Sequence, residues 1–382
     1  MQAKMIFMTG QIPMTGEAAE FSYREEPNSL IPPQRRALLW VLFFLICMGL
    51  GYPPLNRYDP GKLEGTSDVA EYRAIVAGRE SPGAAGAMGV FDRLALSENY
   101  YRILVPYAAR PFYWLVRGHV GSWDPALFSL LIANSIFTAT TACLLVVIGL
   151  RLTLDTSTAL LATTLFLLNF CIANLSLVGL VDSAEECFLM VIVWSLLSGR
   201  WFLLPLWGIF GALAKETFVP LSALFVFGWW ISGVRRHRLQ LPRLVWLAAM
   251  GVVSITTVTI AMSVIVGGLV WPWQLAAYMR SSVGFFAGLR RCLVDHSLWF
   301  VFMWLLPLGL VRLRRLPRPW VLATAVAFCG ALALGAYHNS LGNVARALFS
   351  VSGPILSLSA AIFLAGPRRL SATAPDDELI TD

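Results

Sequence analysis

The residues whose types could do chemistry are few, and they interrupt an otherwise apolar chain. Asp68 stands in Ser67-Asp68-Val69-Ala70-Glu71-Tyr72, and further along come Tyr100-Tyr101-Arg102-Ile103-Leu104-Val105-Pro106 and Ala109-Arg110-Pro111-Phe112. Asp68 opens a helical pattern that continues through Glu71, Tyr72, Ile75 and Val76, and helix capping alone accounts for an Asp there. It also follows soon after the first long apolar run, which places it near a membrane surface. A carboxylate in that position can act as general base toward an acceptor hydroxyl or amine. Asp59, between Tyr58 and Pro60-Gly61, is most simply a turn residue.

A second acidic group, Asp182, Glu185 and Glu186, begins a later apolar run. Glu186 is four residues beyond Asp182, so the two share a helical face. One reading is an interfacial acidic cap suited to a helix N-terminus. The other is a set of groups facing a cavity, because ionisable side chains at membrane depth are costly and turn toward a cavity or one another. Lys215-Glu216 ends another short run, either as an interfacial ion pair or with the Lys held for an anionic head group. Arg280, Arg290 and Arg291 lie among Trp271-Pro272-Trp273, Tyr278 and Phe285-Phe286. They suit either contact with a lipid phosphate or a surface helix with snorkelling arginines. The stretch from His338 to Arg346 is expected to open the last helix, where one Arg and several amide donors make an anion site or merely a cap.

The elements that must position these groups are lipid-embedded. Of the 382 residues, 57% are apolar and 13% charged, and the mean hydropathy of +0.68 exceeds that of soluble globular domains. A bilayer core about 30 Å thick needs roughly 20 apolar residues per helix. Runs of that kind recur along nearly the whole chain after residue 37, and they are continuous, which argues against the alternation of a β-barrel. The fold expected is an all-α polytopic membrane protein. The six cysteines form no CxxC pair and read as small buried hydrophobes, without a disulfide framework or zinc site. A net charge of +7 suggests nucleic acid in a soluble protein; here the positive-inside rule explains it, and no nucleic-acid partner is expected.

In chain order, residues 1–36 are expected to be a disordered cytoplasmic tail, and the run from Ala37 to Pro53 a retained first helix, since no signal-peptide cleavage pattern ends it. Further spans are expected near 125–150, 157–178, 181–198, 201–214, 217–233, 245–270, 297–311, 320–337 and 348–365, about ten in all within a membrane domain of residues 37–366. Residues 56–124 form a large first extracytoplasmic loop carrying short interfacial helices. Arg35-Arg36, Arg151, Arg200, the Arg235-Arg236-His237-Arg238 cluster, Arg312 to Arg318, and Arg368-Arg369 fall on alternate connections. That face is then the cytoplasm, with both termini on it, and the membrane is the cytoplasmic (inner) one. Residues 367–382 are expected to be a second disordered cytoplasmic tail.

Taken together, the layout resembles the GT-C superfamily of integral-membrane glycosyltransferases, which use polyprenyl-phosphate-linked sugars and include the protein O-mannosyltransferases and the aminoarabinose transferases. The resemblance rests on Asp68-Val69-Ala70-Glu71-Tyr72 soon after the first helix, on the Arg-x-Leu-x-Pro-like Arg102-Ile103-Leu104-Val105-Pro106, on Gly179-Leu180-Val181-Asp182, and on Gly211-Ala212-Leu213-Ala214-Lys215-Glu216-Thr217. It implies inverting sugar transfer on the extracytoplasmic face, with Asp68 as catalytic base. Lys215, Arg346, Arg102 and Arg280 would neutralise the leaving phosphate, where pre-placed cations help most. Asp182, Glu216, Tyr72, Glu186 and His338 would hold these cations or contact the sugar. The sequence departs from many members in lacking a second acid directly after Asp68, so no metal ligand is assigned and no cofactor is expected, a divalent metal being compatible but not indicated. The expected partners are a polyprenyl-phosphate-linked sugar and membrane lipids, with the acceptor left open among lipid, glycan and protein. The alternative is a transporter or flippase for an anionic or lipid-linked substrate, although no inverted repeat is visible.

Overall fold

The computed structural model describes residues 31–57, 67–78, 101–234, 241–271, 274, 284–338 and 343–366. Among these residues every regular element is helical, as a chain that must satisfy its backbone inside hydrocarbon requires. Helix α1 (Pro33–Arg57) begins ahead of the expected start at 37 and continues through Pro53 and Pro54. Of the long loop, α2 (Ser67–Val76) and α3 (Leu104–Val116) are described. The bundle continues with α4 (Pro125–Thr153), α5 (Thr156–Leu167), α6 (Asp182–Leu197), α7 (Leu204–Ala214), α8 (Phe218–Val234) and α9 (Leu241–Val266). It closes with α10 (Phe285–Val294), α11 (His296–Phe302), α12 (Leu305–Arg312), α13 (Arg318–His338) and α14 (Asn343–Leu364).

Among the described residues five helices, α1, α4, α9, α13 and α14, are long and apolar enough to cross a bilayer, and a sixth span results if α11 and the segment after it, bent by 45°, are one broken crossing. Each of the ten expected runs does contain helix. Counting apolar runs nevertheless overstates the crossings that length supports: α5, α7 and α8 are shorter apolar helices, and α6 has 16 residues with acids in its first turn, against the roughly 20 a bilayer core requires. The run at 157–178 is interrupted at buried Asn169, whose side chain bonds Cys171 N and the Val301 carbonyl, and it resumes as a π-turn over Ile172–Ser176.

Membrane character is also visible in what the bundle leaves uncovered. Leu38 and Leu45 on α1, and Val252 and Val264 on α9, are 59–74% exposed, apolar stripes that a soluble surface would not carry in such number. Helix α14, by contrast, is buried along most of its length. It packs against α5, α6, α12 and α13, while α4 holds α1, α3, α5 and α6. Helices α7 and α9 form one further pair, and α8 and α13 another.

The bundle has two chemically different ends. Helix α1 runs antiparallel to α4: Trp40 donates to Thr140, and Tyr52 meets Trp123 edge-on. Arg36 and Trp194 line one cavity of about 390 Å³; Arg200 stacks on Trp194, and Arg151 donates to Ser198. Ser359 donates to the Gly309 carbonyl, so α12 leads Arg312, Arg314 and Arg315 to the far end of α14 from Arg346. These cations gather at the end where α4 and α6 finish. Asp182, at the start of α6, lies roughly 24 Å away along a 16-residue helix at 1.5 Å per residue.

All six cysteines are free thiols; Cys47, Cys171, Cys187 and Cys292 are buried as expected, but Cys143 is half-buried and Cys329 exposed. The tails at 1–30 and 367–382, Asp59, the Arg235–Arg238 cluster and Arg280 lie outside the described residues.

Candidate functional site

At the end away from the clustered arginines, separate helices bring charged side chains together. Helix α4 begins at Asp124, whose Oδ1 accepts from the backbone of Ala126 and Leu127 ahead of Pro125, an N-cap with proline at the first helical position. The other oxygen of Asp124 pairs with Arg73, which ties α2 to the start of α4. Helix α3 is fixed to the same place, because Arg110 donates to the Ile75 carbonyl and lies over the Tyr107 ring. In this way α2 and α3 are held on the bundle, with Tyr72 fully buried beneath them.

Arg102 enters from the residues before α3. Its Nε and Nη2 reach the two oxygens of Glu216 at 2.9 and 2.6 Å, and Nη1 donates to the Tyr72 hydroxyl at 2.9 Å. This is the planar two-point pairing that a guanidinium makes with a carboxylate. Burial pushes the Tyr72 phenol above its ordinary range, although Arg102 pulls the other way, so the ring keeps its proton. Asp68 lies 3.9 Å from Arg102 Nη1 and its side chain is 32% exposed.

The second half of the site centres on Asp182. Asn134 of α4, itself fully buried, donates to the carbonyls of Leu177 and Leu180 and accepts from Ser183. Gly179 between them has φ +79°, a conformation open to glycine. This clamp sets the start of α6. Asp182 Oδ1 is 2.5 Å from Lys215 Nζ, and Oδ2 is 2.5 Å from Arg346 Nη1. Lys215 sits in extended backbone just after α7, and the chain then turns sharply into α8. Gly211 permits that turn: a Cβ there would stand 2.2 Å from the Phe218 ring, which folds back over the end of α7. Thr217 in the turn donates to Glu185 Oε1, and Glu185 Oε2 lies 3.5 Å from Lys215.

Several expectations need correction. Asp182 is no cap: the N-cap position is Val181, without a side-chain cap bond, and the carboxylate holds two cations from other helices. Lys215 and Glu216 are not paired with each other. Adjacent extended and turn backbone points them apart, one to Asp182 and the other to Arg102. Arg346 lies inside α14, whose start precedes the expected 348, and His338 ends α13 instead of opening the last helix. Glu186, expected to work with Asp182, is 2% exposed and its Oε1 has no partner among the described residues. Arg290 and Arg291 are exposed on α10, beside exposed Phe285 and Phe286, as a surface helix would place them.

The site thus assembles Asp68, Tyr72, Arg102, Asp182, Glu186, Lys215, Glu216 and Arg346 of the expected residues at one end of the bundle. Glu185, Thr217 and Asn134 are participants that sequence reasoning did not assign; the Ser/Thr and Asn signals are too common to single out. Among the described residues no group of three or more His, Cys, Asp or Glu side chains is arranged to hold a metal ion. Comparison with known protein families, curated proteins and solved structures finds no match to this chain.

Proposed function

We propose that this chain is an integral-membrane glycosyltransferase that moves a sugar from a polyprenyl-phosphate donor to a lipid, glycan or protein acceptor at the extracytoplasmic face. One observation carries the reading. Three cations from three separate parts of the chain, Arg102, Lys215 and Arg346, are collected in a buried setting, and Arg102 stands 3.9 Å from Asp68, which among Asp68, Asp182, Glu185, Glu186 and Glu216 is the carboxylate that solvent reaches.

In this reading Asp68 accepts the proton of the attacking hydroxyl or amine while the sugar–phosphate bond breaks. The displaced polyprenyl phosphate, whose charge grows as the bond opens, is met by Lys215 and Arg346. Asp182 keeps those two cations aimed. Arg346 uses Nη1 for Asp182, and a guanidinium carries five donors, so an anionic oxygen can join without displacing the pair. Arg102, locked by Glu216 and Tyr72, stands 3.9 Å from Asp68 and holds it close to the site. The reading also takes the clustered arginines at the opposite end as cytoplasmic, the membrane as the inner one, both termini as cytoplasmic, and the shorter helices as completing about ten crossings.

A second reading, transport or flipping of an anionic or lipid-linked substrate, is favoured by the fact that the buried cations already have acidic partners, as in a charged path through a bundle. One experiment separates the two. Purified protein in liposomes is given a panel of labelled polyprenyl-phosphate sugars with membrane-lipid acceptors. Release of free polyprenyl phosphate by the wild type, absent from folded Asp68→Asn, supports transfer; movement of intact donor across the bilayer without consumption supports transport.

A further inference from the structure

Among the described residues, Glu186 is the member of the buried cluster that no cation serves. It is 2% exposed, and its Oε1 meets no hydrogen-bond donor. Its ionisable neighbours are Asp182 and Glu185 on its own helix and the thiols of Cys171 and Cys187, all acids. The elements packed on α6 bring nothing to offset them. Helix α4 carries only Cys143 and, at its far end, Arg151; α7 and α8 carry no titratable residue; α14 carries Arg346 alone. Both nearby cations, Arg346 and Lys215, turn to Asp182.

The balance of charge points the same way. Asp182, Glu185 and Glu216 stand against Lys215, Arg346 and Arg102. Those six neutralise one another, Asp68 beside Arg102 is reached by solvent, and an ionised Glu186 would add a further negative charge with no counterion among the described residues in a dry setting. An isolated buried carboxylate takes up a proton instead.

We propose that Glu186 is a proton-binding site that holds its proton in the resting protein, whichever substrate the chain handles. The inference does not rest on sugar transfer.

Infrared spectroscopy of the full-length protein in lipid nanodiscs at neutral pH, in H₂O and D₂O, tests it. The wild type is expected to show the deuterium-sensitive C=O stretch of an un-ionised carboxylic acid. That band should vanish in Glu186→Gln and move in frequency in Glu186→Asp, and Glu186→Gln should melt with the wild type because an amide has the shape of the neutral acid. No such band in the wild type, a band that survives in Glu186→Gln or stays unmoved in Glu186→Asp, or a Glu186→Gln protein that does not fold would each overturn the proposal.

Discussion

Replacing Asp182 with Asn removes the charge on which two buried cations converge and leaves a side chain of the same shape. Lys215 and Arg346 are 4% and 8% exposed, so neither can regain water without moving a helix. Removing one partner of a buried ion pair costs about 3–5 kcal/mol, most of it from the charge left behind. Two features temper the loss here. Glu185 Oε2, 3.5 Å from Lys215, can draw closer and take over that cation, and the new amide oxygen still accepts one hydrogen bond. Arg346 has no such substitute among the described residues, since its hydrogen bond goes to Asp182. The expected cost is therefore near the lower end, about 3 kcal/mol. Reversible unfolding in mixed micelles, followed by tryptophan fluorescence, measures it. The cycle with Arg346→Gln gives a second number: the two changes should be non-additive, with a coupling of about 1–3 kcal/mol, because the second removes the charge that the first strands. A loss below about 1 kcal/mol, or simple additivity, would refute the argument that Asp182 is the shared counterion.

Further outcomes follow from the same geometry. Gly211→Ala places a methyl group within 2.2 Å of the Phe218 ring, and is expected to cost about 1–3 kcal/mol as an overpacking change while shifting the Lys215–Thr217 turn, readable as lost activity beyond the loss of stability. Asn134→Leu strips the donor from the Leu177 and Leu180 carbonyls and should cost about 1–3 kcal/mol for buried acceptors left unmet, by the same unfolding assay. Arg102→Lys keeps the charge but cannot span both oxygens of Glu216 or reach Tyr72 at once. It is expected to lower stability by about 1.5–3 kcal/mol, the range for hydrogen bonds to charged groups, and an unchanged midpoint would refute the bidentate pairing as a structural tie.

Much of the helical layout was legible in the sequence because apolar runs and clustered arginines are local signals. The resumption of helix near Asp182, the charge of the Lys215 turn and the exposed arginines and aromatics of α10 could all be read from neighbouring residues. What could not be read is pairing over distance. Arg102 and Glu216 are 114 positions apart, and Arg346 and Asp182 are 164 apart, so no spacing rule links them. Local proximity even misled: Lys215 and Glu216 look like one ion pair, and the extended backbone between α7 and α8 sends them to different partners. The number of crossings is not fixed by apolar runs for a related reason. An apolar run records that a segment avoids water, whether it meets lipid or other helices, and α5, α7 and α8 are apolar without the length a bilayer asks for.

The reaction itself is tested most directly by turnover of donor. Purified wild-type protein in liposomes, given labelled polyprenyl-phosphate sugars, is expected to release free polyprenyl phosphate and form a labelled acceptor, and Asp68→Asn, folded and inserted to the same level, is expected to release none above background. Full release by Asp68→Asn, or intact donor carried across the bilayer by the wild type with no phosphate set free, would contradict the account.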